Sequence, residues 1–331
     1  MKNLIYLETG STDAAYNLAF EEYVLYNKRD HDYLILWQNK NAVIIGRNQN
    51  AEAEIHRPFV QANDIQVIRR NTGGGTVYHD LGNLNYSFIT DAEGIDRSTL
   101  DHFLNPVVAA LRALGLDASA SGRNDILVSG KKVSGTAQYL HKGRVLHHGT
   151  LLFDANTEVL SNALNPDPTK FQSKGVSSVR SRVANIRDHL KTDMSVSDFW
   201  MHIKHTLASE HTIDDCLTDS ELFEILKIKE SKYDTWDWNY GKSPKYQFQT
   251  KTRWGGGLLD IQLSAENSKI KAIKICGDFL CWKPINDLEN ALINCPLDRT
   301  ALHNALAPIT LSDYIGTITQ EELCNTLLNM V

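Results

Sequence analysis

Short apolar runs alternate with helix-length segments along the chain, and no stretch repeats or falls into low complexity. Residues 3–7 read as a strand. Ser11 or Thr12 is placed to cap a helix reaching about Lys28. The apolar Ala15, Leu18, Phe20, Val24 and Leu25 surround that helix rather than striping one face, which implies burial on all sides. Residues 33–37 and 42–46 are apolar runs that read as strands paired around a polar turn at 38–41. A second helix is expected over 98–116, ended near Gly115. Strand-like stretches return at 125–128, 132–138 and 145–153.

Periodicity breaks around residues 235–243, where Trp236, Trp238, Asn239, Tyr240 and Gly241 are followed by Pro244. The connection between two domains is expected there, with a larger domain over 1–240 and a smaller one over 245–331. Inside the smaller one, residues 246–253, 258–263 and 270–275 alternate like a three-stranded meander, and helices are expected at about 287–294 and 298–307. Gly255-Gly256-Gly257 reads as a hairpin turn, since no basic residue follows it before Lys269.

Residues 125–138 form a predicted hairpin, because Ser129-Gly130 is a two-residue turn signal after an apolar run. Strict alternation in the return strand puts Val133, Gly135, Ala137 and Tyr139 on a core-directed face. Lys132, Ser134 and Thr136 then share the other face, and Lys131 points away from them.

The densest chemistry lies in residues 69–83, where Arg69-Arg70-Asn71-Thr72 leads into Gly73-Gly74-Gly75 and then Thr76-Val77-Tyr78-His79-Asp80 and Asn83. Three glycines leave backbone without Cβ, so N–H groups can approach a ligand and adopt positive φ. Arginine beside such a loop suits a carboxylate or phosphate, because its planar fork donates two parallel hydrogen bonds. Glycines alone read as a turn; their basic and polar neighbours point to an anion site.

This run resembles the pattern of the lipoate–protein ligase family: two arginines, a glycine triplet and a following His-Asp-x-Gly-Asn. The match continues in Gly122-Arg123-Asn124-Asp125, in Lys132-Val133-Ser134-Gly135-Thr136-Ala137, in His147-His148-Gly149-Thr150-Leu151-Leu152 and over residues 174–183. Weaker similarity covers nearly the whole chain. The resemblance implies an α+β fold, in which a class II synthetase-like mixed and mainly antiparallel sheet is flanked by helices. A small α+β C-terminal accessory domain follows. It also implies a two-step reaction, in which lipoate and ATP give lipoyl-adenylate and a carrier-protein lysine then takes the acyl group.

On that resemblance Lys132 is the catalytic residue. ATP and lipoyl-AMP are expected to be held by Arg70, Gly73, Gly74, Gly75, Thr76, Val77, Tyr78, His79, Asn83, Asn124, Asp125, Lys132, Gly135, His148, Thr150 and Arg180. Adenylation raises negative charge on the α-phosphate, which fixed cations and N–H groups stabilise. Asp125 is the candidate to hold Mg²⁺, which prefers one or two carboxylates plus phosphate oxygens and water. Residues 170–187 carry Lys170, Lys174, Arg180, Arg182 and Arg187 with no acidic residue, and read as a basic loop that orders over AMP. The implied partners are lipoyl carrier domains of 2-oxoacid dehydrogenase acyltransferase subunits and the glycine-cleavage H protein.

Composition narrows the alternatives. The 331 residues are 42% hydrophobic and 22% charged, ordinary for a globular protein. A net charge of −6 opposes a nucleic-acid partner. No apolar stretch reaches transmembrane length, and Glu8 and Asp13 stand where a signal peptide would have its apolar core, so no membrane and a cytoplasmic location are expected. All five cysteines, Cys216, Cys276, Cys281, Cys295 and Cys324, lie late in the chain and read as reduced thiols without metal spacing. An ATP-independent octanoyl or lipoyl transferase working through a cysteine thioester therefore lacks its nucleophile anywhere before residue 216. A biotin–protein ligase shares the chemistry but differs around the glycine loop. A non-catalytic acyl-carrier binding module does not need Arg70, Asp125 and Lys132 together. Lipoate and octanoate are not separated at this level, although Trp37 and residues 43–45 are plausible walls of an acyl tunnel.

Overall fold

The chain was analysed as a computed structural model that describes residues 3–92, 100–121, 124–164, 183–208, 212–240, 248–266 and 268–330. In the main sheet, β1 (Leu4–Glu8) pairs in parallel with β2 (Asp32–Trp37), which pairs antiparallel with β6 (Asn83–Asp91). The antiparallel order continues through β10 (Arg144–Leu152), β9 (Lys131–His141), β8 (Asp125–Val128) and β7 (Ala118–Ser121). The short β11 (Ile213–Asp214) adds in parallel to β1 and makes eight strands.

A second sheet holds β3 (Ala42–Ile45) at its centre, parallel to β4 (Gln66–Arg69) and antiparallel to β5 (Val77–His79). The glycine run thus joins the two outer strands and must cross the end of β3. Strands 33–37 and 42–46 therefore do not pair with each other: β2 stays in the main sheet while β3 founds the second. The turn between them is pinned by Asn17, whose Nδ2 donates to Gln38 O at 2.8 Å.

Helix α1 (Ala14–Asn27) is buried as its pattern implies, with Leu18, Phe20, Val24 and Leu25 at 2% exposure or less, packed among residues of both sheets. Each such side chain contributes about 1.5–3 kcal/mol of transfer free energy. Its cap is Asp13, just past the expected Ser11 or Thr12; the carboxylate accepts from Ala15 N. The other face of the main sheet is covered by α2 (Leu100–Ala113) and α3 (Val196–Leu207), through Val107, Leu111, Phe199 and Ile203. The α+β class and the mainly antiparallel sheet flanked by helices are as the sequence implied.

The last part of the chain builds its own core. The meander β12 (Phe248–Trp254), β13 (Gly257–Glu266) and β14 (Lys269–Gly277) is closed by helices Ile285–Leu292, Arg299–Leu306, Ser312–Ile315 and Gln320–Leu328 around residues such as Leu259, Ile275, Leu302 and Leu323. Trp254 pairs with Gly257, so the second glycine triplet is a hairpin turn. In the aromatic segment around residue 236, Thr235 caps a short helix, Trp236–Asn239, that packs back onto β4.

Candidate active site

The glycine loop leaves β4 at Arg69 and returns in β5 at Val77. Gly74 has φ +89°, a conformation that side chains resist. Gly46 below it makes room: a Cβ there would meet Gly74 O at 2.0 Å. The two arginines turn inward. Arg70 Nη2 donates to Gly73 O (2.6 Å) and Gly75 O (2.8 Å), Nη1 to Ile44 O (3.1 Å) and Nε to Thr72 Oγ1 (2.8 Å). Arg69 donates to the carbonyls of Gly46, Arg47, Gln49, Trp238 and Asn239. Burial lowers both guanidiniums to a pKa of about 10. Their forks fold the loop rather than stand open to an anion, although Arg70 still lines the cavity.

A directional chain ties this loop to the sheet. His148 Nδ1 lies 2.8 Å from Glu21 Oε1 and its Nε2 lies 2.8 Å from Thr72 Oγ1. His148 donates from Nδ1 to the Glu21 carboxylate, and Thr72 Oγ1, which accepts from Arg70 Nε, meets the ring's other nitrogen. Ser87 Oγ donates to the same Glu21 oxygen at 2.6 Å and accepts from Trp37 Nε1 at 2.9 Å. Glu21 is absent from the sequence expectation. Its signal was the acid pair Glu21-Glu22 in a helix buried all round, since buried carboxylates are almost always paired.

Lys132 reaches the site for a reason other than strict alternation. A register shift in the β8–β9 ladder sets Ile126 opposite Ser134 and Leu127 opposite Lys132, so Val133 is an extra residue. The bulge puts Lys132 on the face of Gly135 and Ala137, and leaves Ser134 with Tyr86 on the far side. Gly135 is a notch for it: a Cβ there would stand 3.1 Å from Lys132 Nζ. The ammonium lies 2.7 Å from Asp125 Oδ1, both side chains being about one third exposed (35% and 34%). Lys131 is exposed.

These parts enclose a cavity of about 130 Å³ between the two sheets. Arg70, Gly74, Gly75, Thr76, Val77, His79, Asn124, Lys132, Gly135, His148 and Thr150 line it, joined by Leu18, Trp37, Ile44, Asn85 and Ala137. Four expected residues do not line it. Gly73 faces the C-terminal part, Tyr78 points behind β3 with its hydroxyl on Asn41, Asn83 donates to Asn85 Oδ1, and Asp125 pairs with Lys132. Of the plausible tunnel walls, Trp37 and Ile44 line it, whereas Val43 and Ile45 belong to the core behind. Arg180 and most of the basic loop lie outside the described residues. The loop's end is seen: Val183 bridges to Lys132, and Arg187 pairs with Asp154 and Asp193 in a 3₁₀ turn.

His79 and His147 are buried and held at a pKa of about 3, His79 by burial and then by Arg70 and His148, His147 by burial and then by His148. The unfolded chain takes protons on both below about pH 6.5, and the folded chain refuses them, so stability is lost as pH falls through that value. Between pH 7 and pH 5 the loss is about 2 kcal/mol per histidine. Thermal melts are expected to drop over this range, and His147→Gln should flatten the drop. An unchanged slope in that variant would mean His147 is protonated in the fold.

The C-terminal part closes over the glycine loop. Gly74 N donates to Phe279 O at 3.2 Å, Gly277 N to Asn48 O at 2.9 Å, and Asn48 Nδ2 lies 3.2 Å from Cys281 Sγ. A late cysteine therefore does come near the loop. Its thiol is buried, burial raises its pKa, and no cysteine lines the cavity, so a thioester nucleophile is not supplied there.

The family of the lipoyl protein ligase A/B catalytic domain matches residues 13–208, and that of the bacterial lipoate protein ligase C-terminus matches residues 243–327. The chain belongs to the lipoate–protein ligase family. Lipoate–protein ligase 1 of Staphylococcus aureus is 41% identical over 94% of this chain and 96% of its own length. Lipoate–protein ligase LplJ of Bacillus subtilis is 39% identical over 95% and 97%. Among solved structures, Plasmodium falciparum LipL1 in complex with lipoate superposes with a TM-score of 0.80 over 98% of this chain and 99% of its own, at 24% identity, which speaks for the fold. A lipoate–protein ligase A bound with ATP superposes with a TM-score of 0.62 over 72% of this chain and 98% of its own, at 31% identity. A bipartite ligase of this family from Thermoplasma acidophilum, described with its E2 lipoyl domain, superposes at 0.64 over 74% and 98%, at 33% identity. Among the described residues no helix is long and apolar enough to cross a membrane.

Proposed function

We propose that this ligase condenses lipoate, or octanoate, with ATP to an acyl-adenylate and then passes the acyl group to a lysine of a lipoyl carrier domain. The observation that carries the reading is one lysine, Lys132, placed on a half-apolar cavity directly across from a glycine loop whose backbone is already set. The apolar Leu18, Trp37, Ile44 and Ala137 suit an acyl chain. Lys132 and the loop suit its carboxylate and the α-phosphate, where charge develops. The family members described with ATP and with lipoate support the same pairing of ligands.

Asp125 fits a Mg²⁺ role as a half-buried carboxylate beside Lys132, with the other positions left to phosphate oxygens and water. The ion would draw charge from the phosphates; Lys132 would orient the attacking carboxylate, and the relay from Glu21 to Arg70 would keep the loop in register. Acyl carriers of the 2-oxoacid dehydrogenase and glycine-cleavage systems are the proposed acceptors. Mass spectrometry of an apo lipoyl domain should find one modified lysine when protein, lipoate and ATP are all present. Modification without ATP when a lipoyl or octanoyl thioester is offered in place of free lipoate would replace this reading with an acyl transferase.

The division into a catalytic domain over 1–240 and an accessory domain over 245–331 gives the second half-reaction its room. Adenylation needs a closed, dry site, whereas the carrier must reach the acyl group with a lysine. The contact at Phe279 is proposed to break between the two steps. Gly73→Ala tests it, because the new Cβ would stand 2.7 Å from Phe279 O. The variant is expected to show a larger radius of gyration in small-angle scattering and faster separation of the two proposed domains by limited proteolysis. Scattering identical to the parent would place the contact outside the moving surface.

A further inference from the structure

We propose that the π-helical turn Lys229–Tyr233 and the helix Trp236–Asn239 form a clip that positions the glycine loop, with Lys232 as the positioning residue. The segment lies between the two family-matched ranges, which end at residue 208 and resume at residue 243. It follows helix Asp219–Ile228 without a break. A π turn inserts one residue into a helix and is found most often where a side chain must be re-aimed for function.

Here the turn aims two side chains at Asn71, the residue two positions before the first glycine. Lys232 Nζ donates to Asn71 Oδ1 (2.8 Å) and to Glu22 Oε2 (2.6 Å). Tyr233 donates to the same Glu22 oxygen (2.6 Å), and Asn71 Nδ2 reaches both Glu22 Oε2 and Tyr233 OH at 2.8 Å. Glu22 is 7% exposed, so its charge requires these donors. Six residues further on, the same segment grips Arg69: Asn239 Oδ1 accepts from Arg69 N (2.9 Å), Trp238 Nε1 donates to Arg69 O (2.7 Å), and Asn239 Nδ2 ties back to Tyr233 O (2.7 Å). Lys232 itself sits 4.1 Å over the Trp238 ring. Both residues that flank Arg70 are therefore clamped by one segment.

Ordering a glycine-rich stretch costs backbone entropy at every residue. Clamping its entry during folding removes part of that cost from ligand binding. The inference rests on the proposed adenylation for its kinetic readout only.

The test is Lys232→Met, which keeps the aliphatic stem and removes the bridging charge, alongside Glu22→Gln and the double variant. Backbone hydrogen exchange at residues 71–75 should speed up in both single variants, with β9 and β10 unchanged. In ATP–pyrophosphate exchange the KM for acyl substrate should rise about tenfold while kcat changes less than about threefold, because ground-state order is what is lost. The double variant should lose no more than the worse single one, since the two residues act as a unit. Glu22→Gln carries the test if Lys232→Met does not fold. Unchanged loop exchange in a folded variant overturns the clip. Parent protein without any pyrophosphate exchange overturns the adenylation reading instead, and leaves the exchange experiment to decide the clip.

Discussion

Lys132→Ala is expected to slow adenylation on the order of 10²–10³-fold, the range for losing one preorganised charge-stabilising donor. Two anions meet in this reaction, a carboxylate and a phosphate, and the α-phosphate gains charge as they do. Among the cavity's lining residues Arg70 and Lys132 bear a full positive charge, and Arg70 spends three hydrogen bonds on its own loop and a fourth on Ile44 O of β3. Lys132 is held by a single ion pair to Asp125 and can exchange it for substrate. Lys131→Ala, at an exposed neighbour on the other side of the strand, should leave the rate within about twofold. Single-turnover formation of acyl-adenylate measures both. Equal losses at the two lysines would remove Lys132 from its role.

Gly74→Val is expected to abolish binding of a non-hydrolysable lipoyl-adenylate analogue in calorimetry. Two effects add. The backbone at φ +89° strains a β-branched residue by about 1–3 kcal/mol. The new Cβ would also stand 3.0 Å from Arg70 Nη2, the group that holds the loop carbonyls, and 3.7 Å from Leu280. The melting temperature should therefore fall by a few degrees as well, while the sheet core, remote from the loop, stays folded. Normal affinity for the analogue in this variant would reduce the loop to a turn.

The motifs were legible because they are local: the glycine run, the Lys132 strand and the helix buried all round each announce themselves within a few residues. What escaped depends on pairing at a distance. The bulge at Val133 reverses the side-chain parity of a strand whose letters alternate cleanly, so alternation assigned Lys132 the wrong neighbours on its face. The strand β6 alternates as well, with Asn83, Asn85 and Ser87 on the site face and Leu84, Tyr86 and Phe88 towards α2 and α3. Its polar half reads as surface until the glycine loop is placed over it. The inward turn of both arginines followed from carbonyls of Ile44, Gly46 and Gln49, which no side-chain pattern displays. Helices Val196–Leu207, Asp219–Ile228 and Gln320–Leu328 open on capping boxes at Ser195, Thr218 and Thr319, a signal that was there to be read. In the aromatic stretch at 236–240, Trp238 and Asn239 turn onto Arg69 while Trp236 stacks on Tyr240, a partnership that no apolar period displays.

The central claim is that the cavity activates an acyl group by adenylation before any carrier arrives. Pyrophosphate release, measured with lipoate, octanoate and biotin offered separately and without a carrier domain, tests it most directly. The account predicts release with lipoate and octanoate, dependent on Mg²⁺ and lost in Lys132→Ala, and none with biotin. Release with biotin alone, or acyl transfer to a lipoyl domain with no pyrophosphate formed, would contradict it.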